Sequence, residues 1–315
     1  MRFGAAFWIQ RTTWPELRDA CLAGERAGWD SLWVDDHLLA DEGDPSDPKL
    51  EGWATISALA TVTRRVRLGL LVGANTFRGP GLTAKLATTV DHLSGGRFVL
   101  GLGGGWFEPE LDAFGFDFGS GFGERLDRLD ESVGLIRRLL AGELVTHEGR
   151  FYAMHDALCA PRPIQEHLPI LIGGSGPTKT LRTTASDADL WNGFGAPERI
   201  AQVSDILRDR CAEIGRSFDE IARTVTIHAV IRETERAATD AWAEIARHHG
   251  IVGRVAADGT ERGLTVGGSP TDVARYLAGY RDAGISEVIV VLRAPFDDET
   301  IERVGEVREA LAAFG

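Results

Sequence analysis

The segment from Ser94 to Leu111, SGGRFVLGLGGGWFEPEL, restricts the fold of this chain more than any other part of it. A short apolar run, Phe98 to Leu102, leads directly into three glycines and then into an acidic, aromatic stretch. Glycine allows close approach of the backbone to another group because it has no Cβ. Permissive loops also follow the apolar runs at 66–73 and 169–172, the second of them glycine-rich. Buried strands that end in such loops are typical of a barrel of parallel strands, whose site lies at the strands' carboxyl ends.

The rest of the chain repeats an alternation of strand and helix patterns. Thr13 and Glu16 have the spacing of a capping box, and Gly28 is placed to end the helix that they begin. The predicted strands lie at 2–8, 31–34, 66–72, 97–102, 169–172, 189–192, 224–231 and 287–292. Strands that alternate with helices form parallel sheets with right-handed crossovers. With 315 residues and no low-complexity linker, the chain is predicted to be a single α/β domain, a (β/α)8 barrel with insertions.

Two regions interrupt the alternation. A helix from Glu124 to about Gly142 and an extended stretch at 144–165 indicate an insertion near 106–165. The glycine-rich, poorly periodic region near 245–268 is predicted to be a lid between the last two strands.

Composition restricts the partners and the compartment. The formal net charge of −13 disfavours nucleic acid and anionic membranes, which bind clustered Lys and Arg. The amino terminus has no signal-peptide pattern, and no apolar run is long enough to span a bilayer. The three cysteines are far apart and odd in number, which argues against a disulfide framework. We therefore expect a cytoplasmic protein that acts on a small molecule.

With these features laid out, the chain resembles the luciferase-like monooxygenase family, and within it the branch that uses the deazaflavin coenzyme F420. The resemblance covers nearly the whole chain. It depends on six segments in the same order and spacing: SLWVDDHLL (31–39), LEGWATISALA (50–60), RVRLGLLVGANTFRGPG (65–81), DHLSGGRFVLGLGGGWFEPEL (91–111), GERLDRLDESV (123–133) and PILIGGSGPTKTLR (169–182). The resemblance implies a bacterial luciferase-like TIM barrel, a flat tricyclic ring at the carboxyl ends of the strands, and a homodimer.

The resemblance also implies site residues. Asp36 and His37 match an acidic residue and histidine pair whose histidine lies near the reactive centre of the ring. Leu71 and Val72 match a non-prolyl cis peptide that backs the ring, and the turn at 173–178 matches the one whose N–H groups hold the cofactor phosphate. Relatives often have a small polar residue where this chain has Gly73 and Ala74, so Asn75 is the nearest substitute. The cofactor-binding positions implied are Asp36, Leu71, Val72, Gly73, Ala74, Asn75, Gly103, Gly104, Gly105, Gly173, Gly174, Ser175, Gly176 and Thr178.

Local chemistry supports some of these roles. A histidine at the end of a strand can move protons near neutral pH, although a capped loop histidine is the simpler reading of an isolated Asp-His pair. The turn at 173–178 offers helix-start N–H groups with Lys179 and Arg182 nearby, although such a turn can also be purely structural. Glu108 is a candidate proton donor or else a solvated charge. Candidates for the substrate pocket are Trp8, Trp106 and Trp191, although barrel aromatics are often core.

No ligand spacing for a metal is recognised around Asp35, Asp36 and His37, so no metal is expected. The favoured function is an oxidoreductase that transfers a hydride between F420 and an organic substrate, with catalytic residues His37 and Glu108. One alternative is an FMN-dependent two-component monooxygenase of the same fold. Another, from a different class, is a flavin-binding protein without catalysis.

Overall fold

A closed barrel organises the chain. The computed structural model describes residues 1–251 and 265–314. Within these residues eight parallel strand positions close the barrel, and the third is split into two short strands. The barrel strands are β1 (Arg2–Phe7), β2 (Ser31–Val34), β3 (Arg67–Leu70) with β4 (Gly73–Ala74), β5 (Phe98–Gly103), β8 (Ile170–Gly173), β9 (Leu190–Phe194), β10 (Ala222–Ile227) and β13 (Glu287–Leu292). The predicted (β/α)8 barrel is confirmed.

Strand pairing closes the sheet on itself. β1 pairs with β2 on one side and with β13 on the other, with Phe7 opposite both Val34 and Leu292. β3 pairs with both β2 and β5, which joins the two ends of the strand order. The carboxyl ends of all these strands therefore meet at one face of the barrel, which we call the mouth.

Helices surround the barrel and follow its strands. They are α1 (Trp14–Ala27), α2 (Gly52–Val62), α3 (Pro80–Ser94), α4 (Glu108–Phe114), α5 (Phe122–Leu140), α6 (Thr180–Asp187), α7 (Pro197–Glu213), α8 (Glu235–His248), α9 (Pro270–Asp282), α10 (Asp298–Glu302) and α11 (Val304–Ala313). α1 begins as predicted, since the Glu16 carboxylate accepts a hydrogen bond from the Thr13 N–H at 2.9 Å. Gly28 ends it with a left-handed φ of 100°.

The region expected to be an insertion contains more regular structure than the sequence suggested. Residues 106–165 include α4, α5 and an antiparallel hairpin of β6 (Val145–Glu148) and β7 (Ala153–Ala157). The predicted seventh strand is divided into β10 and β11 (Ala229–Ile231), and β11 pairs with β12 (Val266–Gly268). Of the predicted lid at 245–268, residues 252–264 lie outside the described residues.

The apolar residues form two layers, one inside the barrel and one between its strands and the surrounding helices. The interior core consists of Ala6, Trp33, Leu71, Val99, Leu171, Leu190, Ile289 and Val291. A much larger core fills the space between the strands and the helices. Because side chains alternate along a strand, the parity of each residue decides which layer it joins. No helix in the two described ranges has the length and apolar character needed to cross a bilayer.

Candidate active site

His37 lies at the mouth, three residues beyond the end of β2, and is held by a carboxylate from α4. Its Nδ1 is 2.7 Å from Oε1 of Glu110. The other oxygen of Glu110 accepts hydrogen bonds from the N–H groups of Leu38 at 2.8 Å and Leu39 at 3.4 Å. Glu110 is 2% exposed. The loop after β2 and the first turn of α4 are thus tied together through one buried carboxyl group.

These contacts assign the tautomer of the imidazole. An ionised carboxylate only accepts hydrogen bonds, and Glu110 already accepts two from backbone N–H groups. Nδ1 of His37 is therefore the donor, which leaves Nε2 as the basic nitrogen of the neutral ring. Burial alone would lower the pKa of His37, but the carboxylates of Asp41 and Glu110 outweigh it, so that the pKa is raised from its ordinary value. The two carboxylates therefore favour the protonated form of the ring.

A buried ionic cluster lies beside His37. Nζ of Lys49 is 2.6 Å from Oδ2 of Asp35 and 2.8 Å from Oδ1 of Asp41. Oδ2 of Asp41 is 4.0 Å from Nε2 of His37, which is longer than a hydrogen bond. Trp8, just past β1, donates from Nε1 to Oδ1 of Asp41 at 3.2 Å. The cluster links the ends of β1 and β2 to the imidazole.

A second buried ion pair also lies near Trp8. Arg293, which follows β13, donates from Nε and Nη2 to the two oxygens of Glu42, both at 2.7 Å. Its Cζ is 5.6 Å from the centre of the Trp8 ring, and Nζ of Lys49 is 5.5 Å from the same ring. Nη1 of Arg293 also lies 3.2 Å from Nδ1 of His228. Trp8 therefore has two cations within about 6 Å of its ring centre, a distance at which the electron-rich face of an aromatic ring attracts a positive charge.

Asp36 connects the loop after β2 to the segment that follows β4. Its carboxylate accepts hydrogen bonds from the N–H of Ala74 at 3.0 Å and from Arg78 at 2.7 and 3.2 Å. Arg78 also pairs with Glu51 at 2.7 Å. Burial raises the pKa of Asp36 to about 6, against the opposing effect of Arg78. Both oxygens of Asp36 thus have partners within the protein, and its predicted contact with a cofactor stays a prediction.

The side chain of Val72 packs against two of the glycines predicted to bind the cofactor, Gly103 and Gly173. The peptide bond between Leu71 and Val72 is cis, as the resemblance implied. A Cβ on Gly103 would lie 2.7 Å from Cγ2 of Val72, and one on Gly173 would lie 3.0 Å from its Cγ1. Both distances are too short for two carbon atoms in contact. The packing of Val72 therefore strongly disfavours a side chain at Gly103 and crowds one at Gly173, whether or not a ring also lies there.

The glycines that follow Gly103 have similar protein neighbours. A Cβ on Gly104 would lie 2.9 Å from Cδ2 of Leu126, and Gly105 has a positive φ of 71°. The carbonyl oxygen of Gly105 accepts a hydrogen bond from Nε of the buried Arg125 at 2.9 Å. α5 thus holds the loop after β5 in place through Arg125 and Leu126.

Unpaired polar atoms face this same region. Oδ1 of Asn75 and Oγ1 of Thr76 are buried and have no hydrogen-bond partner among the described residues. The amide nitrogen of Asn75 donates to Oη of Tyr152 at 3.1 Å, so that the orientation of the side chain is set. Buried polar atoms without partners are rare, and a bound polar group is one of the ways in which they are satisfied. The segment after β4 therefore fits the edge of a cofactor ring that carries hydrogen-bonding groups.

The turn at 173–178 exposes backbone donors at the start of α6. The N–H of Gly174 donates to the carbonyl of Asn192 at 3.0 Å. Within the described ranges, no acceptor in the chain pairs with the N–H groups of Ser175, Gly176 or Thr178. Such donors at the start of a helix fit a phosphate group. The cations nearby are already neutralised, since Lys179 pairs with Asp127 at 2.6 Å and Arg182 with Asp130 at 3.2 Å.

The three predicted pocket tryptophans have different positions. Trp8 lies at the mouth, and Trp106 is 46% exposed with its ring 5.5 Å from that of His37. Trp191 is fully buried in the core outside the barrel, and its Nε1 donates to the carbonyl of Gly174 at 2.8 Å. The prediction that Trp191 lines the pocket is wrong, because its position in β9 directs it toward the helices. Instead it supports the turn.

The structure brings together residues that the sequence did not single out. Glu108 is exposed at the first position of α4, whereas the carboxylate that contacts His37 belongs to Glu110. The two residues differ by two positions in a helix, so only one of them can face the barrel. Other contributors to the mouth that sequence reasoning missed are Asp41, Glu42, Lys49, Arg78, Arg125 and Arg293. Asp41, Glu42 and Lys49 have one signal in the sequence, a cluster of charged residues in the loop after β2. Arg78, Arg125 and Arg293 lie elsewhere in the chain and have no such signal.

Comparison with known proteins places these features in context. A model of the luciferase-like monooxygenase family matches residues 1–287. The F420-dependent glucose-6-phosphate dehydrogenase of Kineococcus radiotolerans is 30% identical over 308 residues, which cover 90% of this chain and 88% of that protein. The 4-hydroxyprotoasukamycin monooxygenase of Streptomyces nodosus subsp. asukaensis is 29% identical over 92% of this chain and 76% of its own length.

Solved structures share the fold. An F420-dependent secondary alcohol dehydrogenase, solved in complex with an F420-acetone adduct, superimposes with a TM-score of 0.85. The match covers 98% of each chain at 19% identity. At that identity the likeness concerns the fold.

Proposed function

Because the chain belongs to the luciferase-like monooxygenase family, we propose that it is an F420-dependent oxidoreductase that transfers a hydride between the deazaflavin and a small organic molecule. The observation that carries this proposal is the pair of His37 and Glu110 at the barrel mouth. The relative from Kineococcus radiotolerans, named an F420-dependent dehydrogenase, supports the choice of coenzyme. We include in the proposal a single luciferase-like domain over residues 1–315.

The cofactor site in this proposal uses two parts of the mouth. Asn75 and Thr76 supply unpaired polar atoms for the edge of the ring. Gly103 and Gly173 place no side chain beside Val72, and the turn at 173–178 supplies N–H donors for a phosphate. When bound, the deazaflavin accepts or supplies the hydride.

The protein supplies the proton transfer that must accompany hydride transfer. When an alcohol is oxidised, the hydrogen on the carbon that carries the hydroxyl group would leave with its bonding electrons as hydride to the deazaflavin. The O–H proton goes to Nε2 of His37, and the electron pair of the O–H bond forms the C=O bond. In the reverse direction the same nitrogen returns the proton to the developing oxyanion. Glu110 keeps Nε2 basic and correctly oriented, because it accepts the hydrogen bond from Nδ1–H at 2.7 Å. The rings of Trp106 and Phe107, with centres 5.5 and 6.0 Å from that of His37, are in T-shaped contact with the imidazole, whose side chain is 14% exposed.

Titration of the full chain with F420 and, separately, with FMN tests the choice of cofactor. We expect F420 to bind at least about tenfold more tightly than FMN. Addition of the substrate should then change the absorbance of F420. The reverse preference, with oxygen consumption in the presence of reduced FMN, would support the monooxygenase function. Binding without turnover that also survives replacement of His37 would support a flavin-binding protein without catalysis.

The FMN-dependent function remains the second candidate because of one specific observation. The relative from Streptomyces nodosus subsp. asukaensis, named a monooxygenase, matches 92% of this chain. Its identity of 29% is close to that of the dehydrogenase from Kineococcus radiotolerans.

Assembly and location form a further part of the proposal. We propose a cytoplasmic homodimer, on the basis of the family resemblance and of apolar side chains exposed on α3, where Leu82 is 55% and Leu93 45% exposed. The charge of −13 disfavours nucleic acid and anionic membranes as partners. Light scattering of the purified chain during gel filtration gives the mass that tests the dimer.

A further inference from the structure

Lys49 carries a buried positive charge that has no role in the proposed chemistry so far. Its side chain is 2% exposed, and its Nζ lies within 3 Å of the carboxylates of Asp35 and Asp41. A charge removed from water costs several kcal/mol unless it is well paired. A lysine at this position therefore needs a reason beyond stability, since apolar residues of similar volume often replace buried ion pairs without loss.

The position of Lys49 is fixed from two sides. Its backbone forms an antiparallel bridge with Gln10, and the N–H of Leu50 donates to the carbonyl of Ile9 at 3.0 Å. Oδ1 of Asp35 accepts a hydrogen bond from the N–H of Ile9 at 3.1 Å, which anchors the first carboxylate to the end of β1. The ammonium group is thus attached to the barrel wall and has one further carboxylate to hold, that of Asp41.

Asp41 connects this ammonium group to the imidazole. Oδ1 of Asp41 lies against Lys49, while Oδ2 lies 4.0 Å from Nε2 of His37. We propose that the Lys49 ammonium group partly neutralises the Asp41 carboxylate beside His37 and so limits how readily the imidazole takes up a proton. The effect on turnover depends on the proposed function, whereas the titration of the imidazole does not.

The charged groups that face His37 come from two elements. Among the described residues they are Asp41 and Lys49 in the loop after β2, and Glu110 in α4. The two carboxylates favour the protonated ring, and Lys49 opposes it. Because Lys49 and Asp41 act on the imidazole with opposite signs, removing each charge separately should move its titration in opposite directions.

The test is a proton NMR titration of the histidines in the cofactor-free full chain, with the His37 signal assigned from its loss in His37→Gln. We expect Lys49→Met to raise the midpoint of His37 by about one pH unit, and Asp41→Asn to lower it by about one pH unit. Methionine retains the apolar stem of lysine, and asparagine retains the shape of aspartate. Lys85→Met is the matched control, since Lys85 is exposed on α3 and its loss changes the net charge equally.

Shifts of opposite sign in Lys49→Met and Asp41→Asn support the proposal. If the two residues only supported the structure, the direction of the His37 shift would not depend on the sign of the charge removed. Two shifts in the same direction, or no shift in either variant, would overturn it. If Lys49→Met does not fold, Asp35→Asn combined with Lys49→Met removes one charge of each sign from the cluster. That double variant should still raise the midpoint, and an unchanged or lowered midpoint would count against the proposal. Because the titration uses the cofactor-free chain, its outcome can be interpreted even if F420 does not bind.

Discussion

Nδ1 of His37 and Oε1 of Glu110 lie 2.7 Å apart, although 73 residues separate them in the chain. The contact joins the loop after β2 to α4, whose helix begins five residues after the end of β5. Two consecutive backbone N–H groups hold the carboxylate in place, so the imidazole is oriented by the barrel itself. The pair therefore makes sharp predictions about rate and pH.

Replacing Glu110 with Gln should lower the pKa of His37. Glu110 favours the charged imidazole, and the pKa of His37 is raised from its ordinary value, so that loss of the carboxylate removes part of that rise. The NMR titration midpoint should fall by about one pH unit. A raised pKa means that protonated His37 stabilises the folded state at low pH, and this stabilisation is lost as the pH rises through the folded pKa. In Glu110→Gln the loss should occur at lower pH. Glu108→Gln, at the exposed first position of α4, is the control and should leave the midpoint in place.

Replacing His37 with Ala should reduce hydride transfer by about 100-fold or more, the loss expected when general acid-base help is removed. Cofactor affinity should remain within a few-fold of the wild type. Single-turnover absorbance of F420 measures the rate, and fluorescence titration measures the affinity. Equal losses of rate and affinity would show that the residue supports the fold of the site instead.

Adding a methyl group at Gly174 or Gly176 should weaken binding of the cofactor phosphate. Gly174 has a φ of 120°, and a Cβ on Gly176 would lie 2.8 Å from Oγ1 of Thr180. Either change displaces N–H donors, and binding of F420 should weaken by about 1 to 3 kcal/mol, the scale of charge-assisted hydrogen bonds.

Two comparisons isolate the phosphate in that experiment. A deazaflavin analogue without the phosphate should bind the wild type and the variants almost equally. Gly134→Ala, in α5, is the matched control because a Cβ there meets no atom within 4 Å. If the turn variants lose affinity for both ligands with an intact fold, the turn shapes the ring pocket rather than the phosphate site.

Gly103→Ala should destabilise the protein because of Val72. The added Cβ would lie 2.7 Å from Cγ2 of Val72, and overpacking of this kind costs about 1 to 3 kcal/mol. Combining it with Val72→Ala removes the clashing methyl groups, so the double variant should be more stable than the sum of the two single changes implies. Urea denaturation measures all four proteins. Simple additivity would mean that the glycine is needed for another reason, such as contact with the cofactor.

Local signals in the sequence determined much of the barrel. β2 and β13 have the predicted bounds, because short apolar runs between turn residues are recognisable without knowledge of the rest of the chain. The start and end of α1 were also predicted, since a capping box and a left-handed glycine act within a few residues. The order of these elements, together with the motifs, identified the fold and located His37 at a strand end.

Tertiary structure alone decided which side chains meet. Trp191 was placed in the wrong layer because the strands of a parallel barrel are buried on both faces, which removes the alternation that would reveal the direction of each side chain. Glu108 and Glu110 are the same residue type two positions apart, and only the docking of α4 on the loop after β2 directs Glu110 to His37. Arg293 meets Glu42, 251 positions away in the chain, only once the barrel closes. Long-range contacts of this kind depend on the geometry of the closed sheet, and local sequence carries no record of that geometry.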